Sequence, residues 1–345
     1  MYLSRSNLLH YLVEKQFGDL EPAVNGAFVV RSLTRRNLNF HVTCGAREYL
    51  VKQAKSWDFD ARASVEREAA FYRQRETNQR LAPLGLALTP RCYAYDPPNS
   101  VLILEFLSEH TELYGALDRF APELGRLCGE AMGAFHRAME SGRLASEFPG
   151  SIPWCLSLHE LAGDLEEPSA GQRELLQVVK RHAEFARGLD RLRAEWRADT
   201  LTHGDWKLEN CLISPDRNHL CVVDWEFAGW GDSIWDVSAL LQSCWNFWVR
   251  WPSEHPIKTI QPALRAFLHA YARSRGWEPG ELAARAVRFA AARMLQTAFE
   301  TLDKAEAMTG AAVRLMQGSL NIFTRPDWAA EQLIGTPLRK ISAHA

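Results

Sequence analysis

The first hundred residues alternate between apolar and polar positions over short runs, a pattern that predicts β-strands. Turn-forming residues separate three such runs, which are AFVVRSL (27–33), LNFHVTC (38–44) and EYLVKQ (48–53). A polar helical pattern follows over residues 60–77, and residues 90–107 predict a hairpin with its turn at 96–99. The sequence therefore predicts an antiparallel sheet with one helix, preceded by a surface helix near the N-terminus.

From residue 108 onward, apolar residues recur at helical spacing instead. The clearest examples are residues 122–139 and 279–302. Two short apolar runs interrupt the helices, NCLIS (210–214) and LCVVDW (220–225), and each lies beside polar residues. These interruptions predict short strands that hold polar loops in place.

The change of pattern near residue 107 predicts an α+β protein with two lobes. At 345 residues the chain is long enough for two compact parts. We assign residues 1–107 to a small lobe with an antiparallel sheet, residues 108–335 to a larger, mainly helical lobe, and residues 336–345 to a loose tail.

Composition narrows the choice of partners. Hydrophobic residues make up 47% of the chain and charged residues 24%, which is ordinary for a folded globular protein. The formal net charge of -2 provides no general attraction for nucleic acid or anionic membranes, so we expect neither as a partner. The seven cysteines are scattered without a CxxC pair, which favours a reducing cytoplasm over disulfides or a structural zinc site.

Two polar stretches carry the candidate chemistry. HGDWKLEN (203–210) contains Asp205 and Asn210, and VVDWE (222–226) contains Asp224. Phosphoryl transfer requires a carboxylate to receive a hydroxyl proton and ligands for magnesium. Two carboxylates and an amide oxygen suit this hard cation better than cysteine and histidine would. The sequence therefore favours phosphoryl transfer with Mg²⁺.

The same stretches resemble the motifs of the aminoglycoside phosphotransferase and choline kinase-like family, within the protein kinase-like superfamily. HGDWKLEN is similar to that family's catalytic loop, and VVDWE to its metal-binding segment. The resemblance implies a two-lobed protein kinase-like fold with Asp205 as the catalytic base. It also implies that Asn210 and Asp224 are magnesium ligands and that His203 braces the loop.

A further segment, AGWGDSIWDVSALL (228–241), resembles the part of the family that follows the metal aspartate. We expect its polar and glycine residues to shape and cap the turn into the next helix, namely Gly229, Gly231, Asp232 and Asp236. His136 ends a helix with a similar family match, and we interpret it as a core histidine.

The resemblance implies an ATP site in the small lobe. The family uses a strand lysine to hold phosphates and a helix glutamate to orient that lysine, and Lys52 and Glu68 match these positions. No GxGxxG loop precedes Lys52. In its place stands a polar turn that either faces the phosphates or forms a solvated hairpin tip, with Arg36, Asn37 and Asn39 as its candidates.

The adenine-binding segment is assigned by position alone. Backbone groups from Glu105 to Leu107 lie where the family's two lobes are linked, so we expect them to meet the base. ATP is the expected donor, and GTP is the alternative.

The sequence leaves several chemical classes of acceptor open. We expect a small-molecule alcohol similar to an aminoglycoside, choline or an amino alcohol. A cationic acceptor would be met by carboxylates, for which the candidates are Glu160, Asp164, Glu166 and Glu167. A quaternary ammonium would be met by aromatic rings, for which the candidates are Trp245, Trp248 and Trp251. Both sets also fit ordinary roles, the first as a solvated helix surface and the second as core.

Lys207 favours a second hypothesis. Many small-molecule kinases of this family have histidine at this position, whereas Asp-x-Lys is the pattern of protein kinases that act on serine and threonine. Lys207 is therefore either a catalytic residue that steadies the transferred phosphate beside Asp205 or an exposed loop lysine. The alternative acceptor is a peptide hydroxyl, such as a ribosomally made precursor peptide in natural-product biosynthesis. A nucleotide-binding pseudokinase is less favoured, since the catalytic set is complete.

Overall fold

The computed structural model describes residues 1–33, 37–55, 59–77, 88–115, 120–161, 168–250 and 257–335. The chain divides into two compact units. The first unit comprises Met1–Thr111 and Ile213–Ala228, and the second comprises Glu112–Leu212 and Gly229–Ala345. The sequence-based boundary at residue 107 lies four residues before the first junction. Residues 213–228, which we assigned to the helical lobe, pack with the first unit.

The first unit is built around an antiparallel sheet. Its elements up to the first junction are helices α1 (Leu8–Glu14) and α2 (Glu21–Val24), strands β1 (Phe28–Ser32), β2 (Leu38–Cys44) and β3 (Arg47–Gln53), helix α3 (Phe59–Thr77), and strands β4 (Cys92–Asp96) and β5 (Val101–Glu105). The strand order is β1-β2-β3-β5-β4, and all neighbours pair antiparallel. The predicted sheet, hairpin and helix are therefore confirmed.

The two faces of β3 have different roles because side chains alternate along a strand. Tyr49 and Val51 belong to a buried core that also contains Leu8 and Leu12 of α1. The predicted N-terminal surface helix thus packs one face into this core. Lys52 lies on the opposite face and reaches α3, so the strand places this cation beside the helix.

The remaining elements follow in chain order. They are strand β6 (Thr111–Glu112), helices α4 (Pro122–Ala138), α5 (Leu144–Glu147), α6 (Ala170–Arg181) and α7 (Ala183–Glu195), strands β7 (Thr200–Thr202), β8 (Cys211–Ile213), β9 (Leu220–Val222) and β10 (Gly229–Gly231), and helices α8 (Ser233–Arg250), α9 (Gln261–Arg275), α10 (Pro279–Glu300), α11 (Gly310–Thr324) and α12 (Pro326–Ile334). None of the described helices is long and apolar enough to cross a membrane.

The segment of the first unit that follows β9 is held against α3 by aromatic stacking. Trp225 lies parallel to Phe71, with ring centroids 3.7 Å apart, and its indole N–H donates to the Val222 carbonyl at 2.9 Å. Asp224, one residue before this anchor, has a φ of 68°. A left-handed backbone is costly for a residue with a Cβ and recurs at functional sites.

The second unit packs helices closely where glycines allow it. Helix α4 carries Gly125, Gly129 and Gly133 at four-residue intervals, so they form one stripe. A Cβ at Gly129 would overlap the Phe267 carbonyl of α9, and one at Gly125 would overlap the Ala263 carbonyl. The absence of these side chains lets α4 and α9 approach directly.

Candidate active site

The polar loop after β7 is anchored by one buried carboxylate. β7 pairs with β10 in the register Thr202 to Gly229, and the chain then enters His203–Gly204. Asp236 of α8 is completely buried and accepts the backbone N–H groups of His203 at 2.7 Å and Gly204 at 2.9 Å. Gly204 has a φ of 82°, a conformation that glycine adopts without strain. These bonds fix the backbone just before Asp205.

Two histidines complete this anchor. Asp236 also accepts from Nε2 of His136 at 3.1 Å, and Nδ1 of His136 lies 2.9 Å from the Tyr271 hydroxyl. His136 is thus the buried, fully bonded histidine that the sequence predicted. Nδ1 of His203 accepts the Asp205 backbone N–H at 3.2 Å, which is the contact expected of a loop brace.

Asp232 and Asp236 have different structural roles, although both were expected to cap the turn into α8. Asp232 accepts the Ile234 N–H at 3.0 Å and therefore caps α8, as predicted. Asp236 lies inside the helix and holds the polar loop instead, so the capping role was wrong for this residue.

The Asp205 carboxylate is contacted at Oδ2 by two residues of its own loop. Nζ of Lys207 lies 2.6 Å from Oδ2, and Nδ2 of Asn210 donates to the Asp205 carbonyl at 2.9 Å and to Oδ2 at 3.3 Å. Because the Asn210 nitrogen faces Asp205, its Oδ1 points away from that carboxylate. The loop therefore gathers the three residues that the sequence placed there, Asp205, Lys207 and Asn210.

Sequence reasoning missed Arg293 of α10. This residue is 5% exposed, and its Nη2 donates to the Gly204 carbonyl at 2.7 Å. Its Nη1 lies 3.8 Å from Oδ1 of Asp205. No local motif contains this arginine. The pattern of α10 predicts an apolar helix, and charged residues of such a helix are expected at the surface.

A second cluster forms in the first unit, and we call it the lysine cluster: Lys52, Glu68, Asp224 and Glu226. Nζ of Lys52 lies 2.7 Å from Oε2 of Glu68, in direct contact with Oδ1 of Asp224, and 3.6 Å from Oε2 of Glu226. The side chains of Lys52 and Glu68 are 4% and 1% exposed, whereas that of Asp224 is 41% exposed. The exposed edge of the cluster is therefore the Asp224 carboxylate.

Three carboxylates around one ammonium group determine the electrostatics of the lysine cluster. Burial alone would lower the pKa of Lys52, but Glu68, Asp224 and Glu226 outweigh it and raise the pKa. Lys52 therefore stays charged at physiological pH. The excess of carboxylate oxygens, with that of Asp224 accessible from outside, matches the ligands that Mg²⁺ prefers. The residues present thus fit a magnesium site.

Glu226 was also missed by sequence reasoning. It is 7% exposed and accepts hydrogen bonds from Nδ2 of Asn37 at 3.0 Å and from the Ser64 hydroxyl at 3.3 Å. The available signal was its place two residues after Asp224 in VVDWE. Asn37 is consequently a buried partner of Glu226, so the solvated hairpin tip was wrong for this residue. Arg36 lies outside the described residues.

Glu105 and Leu107 lie where β5 ends. The Glu105 N–H donates to the Arg91 carbonyl at 2.8 Å, and the Leu107 carbonyl accepts the His110 N–H at 3.2 Å. Between them, the Phe106 ring stacks on His41 with centroids 3.6 Å apart. Their contact with adenine stays a prediction.

Of the acceptor candidates that the sequence suggested, the structure describes Glu160, Trp245 and Trp248. Glu160 is bonded to Arg193 at 2.7 Å, while Asp164, Glu166 and Glu167 lie outside the described residues. Trp245 is completely buried, so it belongs to the core and offers no ring face to a ligand. Trp248 is half-buried, and Trp251 lies outside the described residues.

A polar stripe leads away from Asp205 along α10. Arg293, Gln296 and Glu300 are spaced by three and four residues, so they share one face of the helix. Nε2 of Gln296 donates to Oε1 of Glu300 at 2.8 Å. Glu300 is exposed and lies close enough to interact electrostatically with Asp205. The stripe therefore connects the loop carboxylate with a surface carboxylate.

An exposed aromatic ring accompanies this stripe. Trp154 is 41% exposed and packs edge-on against Phe299, the neighbour of Glu300, with ring centroids 5.4 Å apart. Sγ of Cys155 donates to Oε1 of Gln296 at 3.8 Å, which ties this turn to the stripe. The turn that carries Trp154 thus packs against α10 near Gln296 and Phe299.

Comparison with known proteins places the chain in a family. A profile of the phosphotransferase enzyme family matches residues 30–294, whereas no curated protein sequence matches. Among solved structures, the chain is similar to an ethanolamine kinase from Plasmodium vivax, with 14% identity, a TM-score of 0.62, and coverage of 92% of this chain and 87% of that one.

Two further structures are similar over most of their length. A microcompartment-associated aminopropanol kinase has 17% identity and a TM-score of 0.59, with 89% of this chain and 94% of that chain covered. A choline/ethanolamine kinase family protein from Mesorhizobium loti has 15% identity and a TM-score of 0.57, with 95% and 100% covered. These similarities confirm the predicted two-lobed, protein kinase-like fold.

The family profile spans well over half of the chain, so the chain belongs to the phosphotransferase enzyme family. The resemblance inferred from HGDWKLEN and VVDWE is thereby confirmed at the level of the family.

Proposed function

We propose that this phosphotransferase moves the γ-phosphoryl group of ATP to the hydroxyl group of a small molecule that carries an amine. The observation that supports this most directly is the Asp205 carboxylate, which sits on a backbone fixed by Asp236. A rigidly held carboxylate can orient a hydroxyl group and accept its proton as the phosphoryl group is transferred. Asp205 is therefore the proposed catalytic base.

Lys207 is the proposed partner of that base. Its ammonium group lies 2.6 Å from Oδ2 of Asp205, and the side chain is 39% exposed, so Lys207 can contact both the carboxylate and an incoming phosphate. A cation in this position stabilises the negative charge that spreads over the transferred group. We thus assign Lys207 to transition-state stabilisation.

The lysine cluster is the proposed nucleotide site and contains one of the proposed magnesium ligands. Lys52, oriented by Glu68, would hold the α- and β-phosphates through a charge-assisted contact. Asp224 and Asn210 are the residues that we assign to hold Mg²⁺, and both supply oxygen ligands. When bound, Mg²⁺ would neutralise phosphate charge during the transfer.

Two residues of the second unit support an amine on the acceptor. Glu300 is an exposed residue on the α10 stripe that leads to Asp205, and the partly exposed Trp154 ring packs against its neighbour Phe299. A carboxylate and a ring face together attract an ammonium group by charge and by cation–π interaction. The similar solved structures include kinases named for ethanolamine and aminopropanol, both amine-bearing alcohols.

A peptide hydroxyl is the second candidate acceptor. The contact of Lys207 with Asp205 is the observation that favours it, because Asp-x-Lys resembles the loop of kinases that act on serine and threonine. A nucleotide-binding pseudokinase is disfavoured, because Lys52, Glu68, Asp205, Asn210 and Asp224 are all present and mutually bonded within their units.

Mass spectrometry of acceptor pools tests the proposal. The protein is incubated with Mg²⁺ and ATP and offered amino alcohols and aminoglycosides in one pool, neutral alcohols in a second, and Ser/Thr peptides in a third. We expect phosphate on an amine-bearing alcohol, and none in reactions with Asp205→Asn. Phosphate on peptides alone would replace the main proposal by the second candidate. Phosphate on neutral alcohols at equal rates would remove the amine from the proposal.

A further inference from the structure

Arg293 is a charged residue within a buried, apolar stretch of α10. The residues that flank it in the helix, Ala290, Ala291, Ala292, Met294 and Leu295, are buried and apolar. A guanidinium group in such surroundings is costly unless its N–H groups are bonded and its charge is offset. Arg293 is nevertheless 5% exposed, so a compensating set of contacts must hold it there.

Those contacts all lead to the polar loop or to the helix that anchors it. Nη2 donates to the Gly204 carbonyl at 2.7 Å, and Nε donates to the Trp235 carbonyl at 3.1 Å. The guanidinium carbon lies 3.9 Å from the centroid of the Trp235 ring, whose N–H donates to the same Gly204 carbonyl at 3.1 Å. The Gly204 peptide is therefore clamped from its carbonyl side by Arg293 and Trp235.

The charge of Arg293 faces the other oxygen of the proposed base. Lys207 contacts Oδ2 of Asp205 at 2.6 Å, whereas Nη1 of Arg293 lies 3.8 Å from Oδ1. The lysine is 39% exposed and the arginine side chain is 6% exposed. The carboxylate thus has a partly exposed cation at Oδ2 and a buried cation near Oδ1.

We propose that Arg293 is a positioning residue for phosphoryl transfer: it clamps the Gly204 peptide and holds Oδ1 of Asp205 in one orientation. The inference rests on the proposed role of Asp205 as the base. Arg293 acts through Asp205 and does not itself contact the acceptor or the nucleotide. Its loss should therefore lower the rate of the transfer step much more than it weakens substrate binding.

Arg285 supplies a matched control on the same helix. It pairs with the buried Asp232 and donates to the Glu195 carbonyl at 2.7 Å, so it is a half-buried structural cation whose side chain is 15% exposed. Within the part of the chain that the structure describes, its hydrogen bonds go to Asp232 and Glu195 and none goes to residues 203–210. A comparison of Arg293→Met with Arg285→Met separates alignment of the loop from general loss of a helix arginine.

The first test is steady-state kinetics, with kcat calculated from the concentration of folded enzyme. We expect Arg293→Met to lower kcat about 100-fold, with KM for ATP and for the acceptor within about threefold of the wild-type values. Arg293→Lys, which keeps the charge but loses the planar fork, should lose about tenfold. Added guanidinium should restore part of the activity of Arg293→Met. The Arg285→Met enzyme should keep its kcat once its folded fraction is taken into account.

Amide hydrogen exchange provides a test that does not depend on activity. In the full-length protein, Arg293→Met should speed exchange at Gly204 and Asp205 about tenfold, because the clamp on this peptide is lost. Arg285→Met should leave these amides unchanged. If Arg293→Met does not fold, Arg293→Lys is compared in the same way.

The outcomes separate the two proposals. A wild-type enzyme without transfer to any acceptor would refute the proposed function, while the exchange comparison would still decide on the clamp. An active wild type with equal kcat and equal exchange in Arg293→Met would overturn the positioning role. Loss of kcat in Arg293→Met and Arg285→Met to the same extent would also overturn it, since a purely structural effect would then account for both.

Discussion

Asp236 holds His203 from a position 33 residues further along the chain: its carboxylate accepts the His203 backbone N–H at 2.7 Å, with both residues fully buried. The other carboxylate oxygen accepts the Gly204 N–H at 2.9 Å. An ionised carboxylate accepts hydrogen bonds and donates none, which suits it to two adjacent amides and a histidine. The geometry of the proposed catalytic loop therefore depends on a residue that does no chemistry.

Asp236→Asn should destabilise the protein and disorder the loop. The amide nitrogen of asparagine cannot accept, so one of the buried donors loses its partner, at a cost of about 1–3 kcal/mol for each such group. We expect the free energy of unfolding to fall by about 2–4 kcal/mol, measured by urea denaturation. Asp303→Asn, at an exposed position, is the control and should change stability by less than about 0.5 kcal/mol.

The stability contributed by Asp236 should be lost in acid. Burial alone would raise the pKa of Asp236, but hydrogen bonds from His136 and the His203 backbone lower it below the ordinary value. A group whose pKa is lowered on folding stabilises the protein above its unfolded pKa of about 3.9 and loses this contribution as the pH falls through the folded pKa.

The measurement is the difference in unfolding free energy between wild type and Asp236→Asn across pH. We expect it to be constant from about pH 5 to 8 and to shrink below about pH 4. A difference that persisted unchanged in acid would show that the charge of Asp236 does not contribute to its stabilising effect.

Lys52→Met should impair the use of ATP. The variant removes the ammonium group that contacts Glu68 and Asp224, so phosphates lose a charge-assisted contact and kcat/KM for ATP should fall about 100-fold or more. Glu68→Gln, which leaves the lysine charged but less well oriented, should have a smaller effect. Lys15→Met is the control, because Lys15 pairs with Asp96 at a partly exposed site.

The folded fraction must be measured alongside, since Lys52→Met leaves three carboxylates facing one another at a cost of about 3–5 kcal/mol. Circular dichroism at low temperature provides it. Unchanged kcat/KM for ATP in a folded Lys52→Met enzyme would refute the nucleotide role of the lysine cluster.

Glu300→Gln should weaken binding of an amine-bearing acceptor and spare the transfer step. The substitution removes one negative charge and keeps the side-chain size, so KM for the acceptor should rise about tenfold while kcat changes little. The same variant should not alter KM for a neutral alcohol. Glu281→Gln, in the exposed first turn of α10, is the matched control. Equal KM values in wild type and Glu300→Gln would exclude Glu300 from the acceptor site.

Gly129→Ala tests the contact between α4 and α9. A Cβ at Gly129 would overlap the Phe267 carbonyl, which is backbone and cannot rotate away. We expect a loss of more than about 2 kcal/mol in unfolding free energy, because the two helices must separate. Gly142→Ala, where a Cβ meets no atom within 4 Å, is the control in the same unit. Equal stability of both variants would show that α4 and α9 are not packed as closely as described.

Local sequence patterns predicted the features that depend on local chemistry. Strand β2 occupies Leu38–Cys44, the predicted run, because apolar and polar residues alternate through it. Lys52 and Glu68 were paired correctly, and this pairing came from the family resemblance. The loop from Asp205 to Asn210 was recognisable because its polar residues lie within six consecutive positions of the chain.

Contacts between segments that are distant in the chain could not be predicted from the sequence. Arg293 reaches Gly204 across 89 residues, and Glu226 reaches Asn37 across 189. An arginine in an alanine-rich helix is ordinarily expected at the surface, and a glutamate near a turn is ordinarily solvated. Only the packing of α10 and of the Trp225 turn reveals them as buried partners of the candidate site.

The most direct test of the account is phosphoryl transfer by Asp205→Asn. On the acceptor identified by mass spectrometry, we expect its kcat to fall by about 10³-fold or more, with ATP binding and unfolding free energy close to wild type. Asp216→Asn, in an exposed turn, should be fully active. A folded Asp205→Asn enzyme that kept its kcat within tenfold of wild type would contradict the assignment of Asp205 as the base, and with it the mechanism proposed for this phosphotransferase.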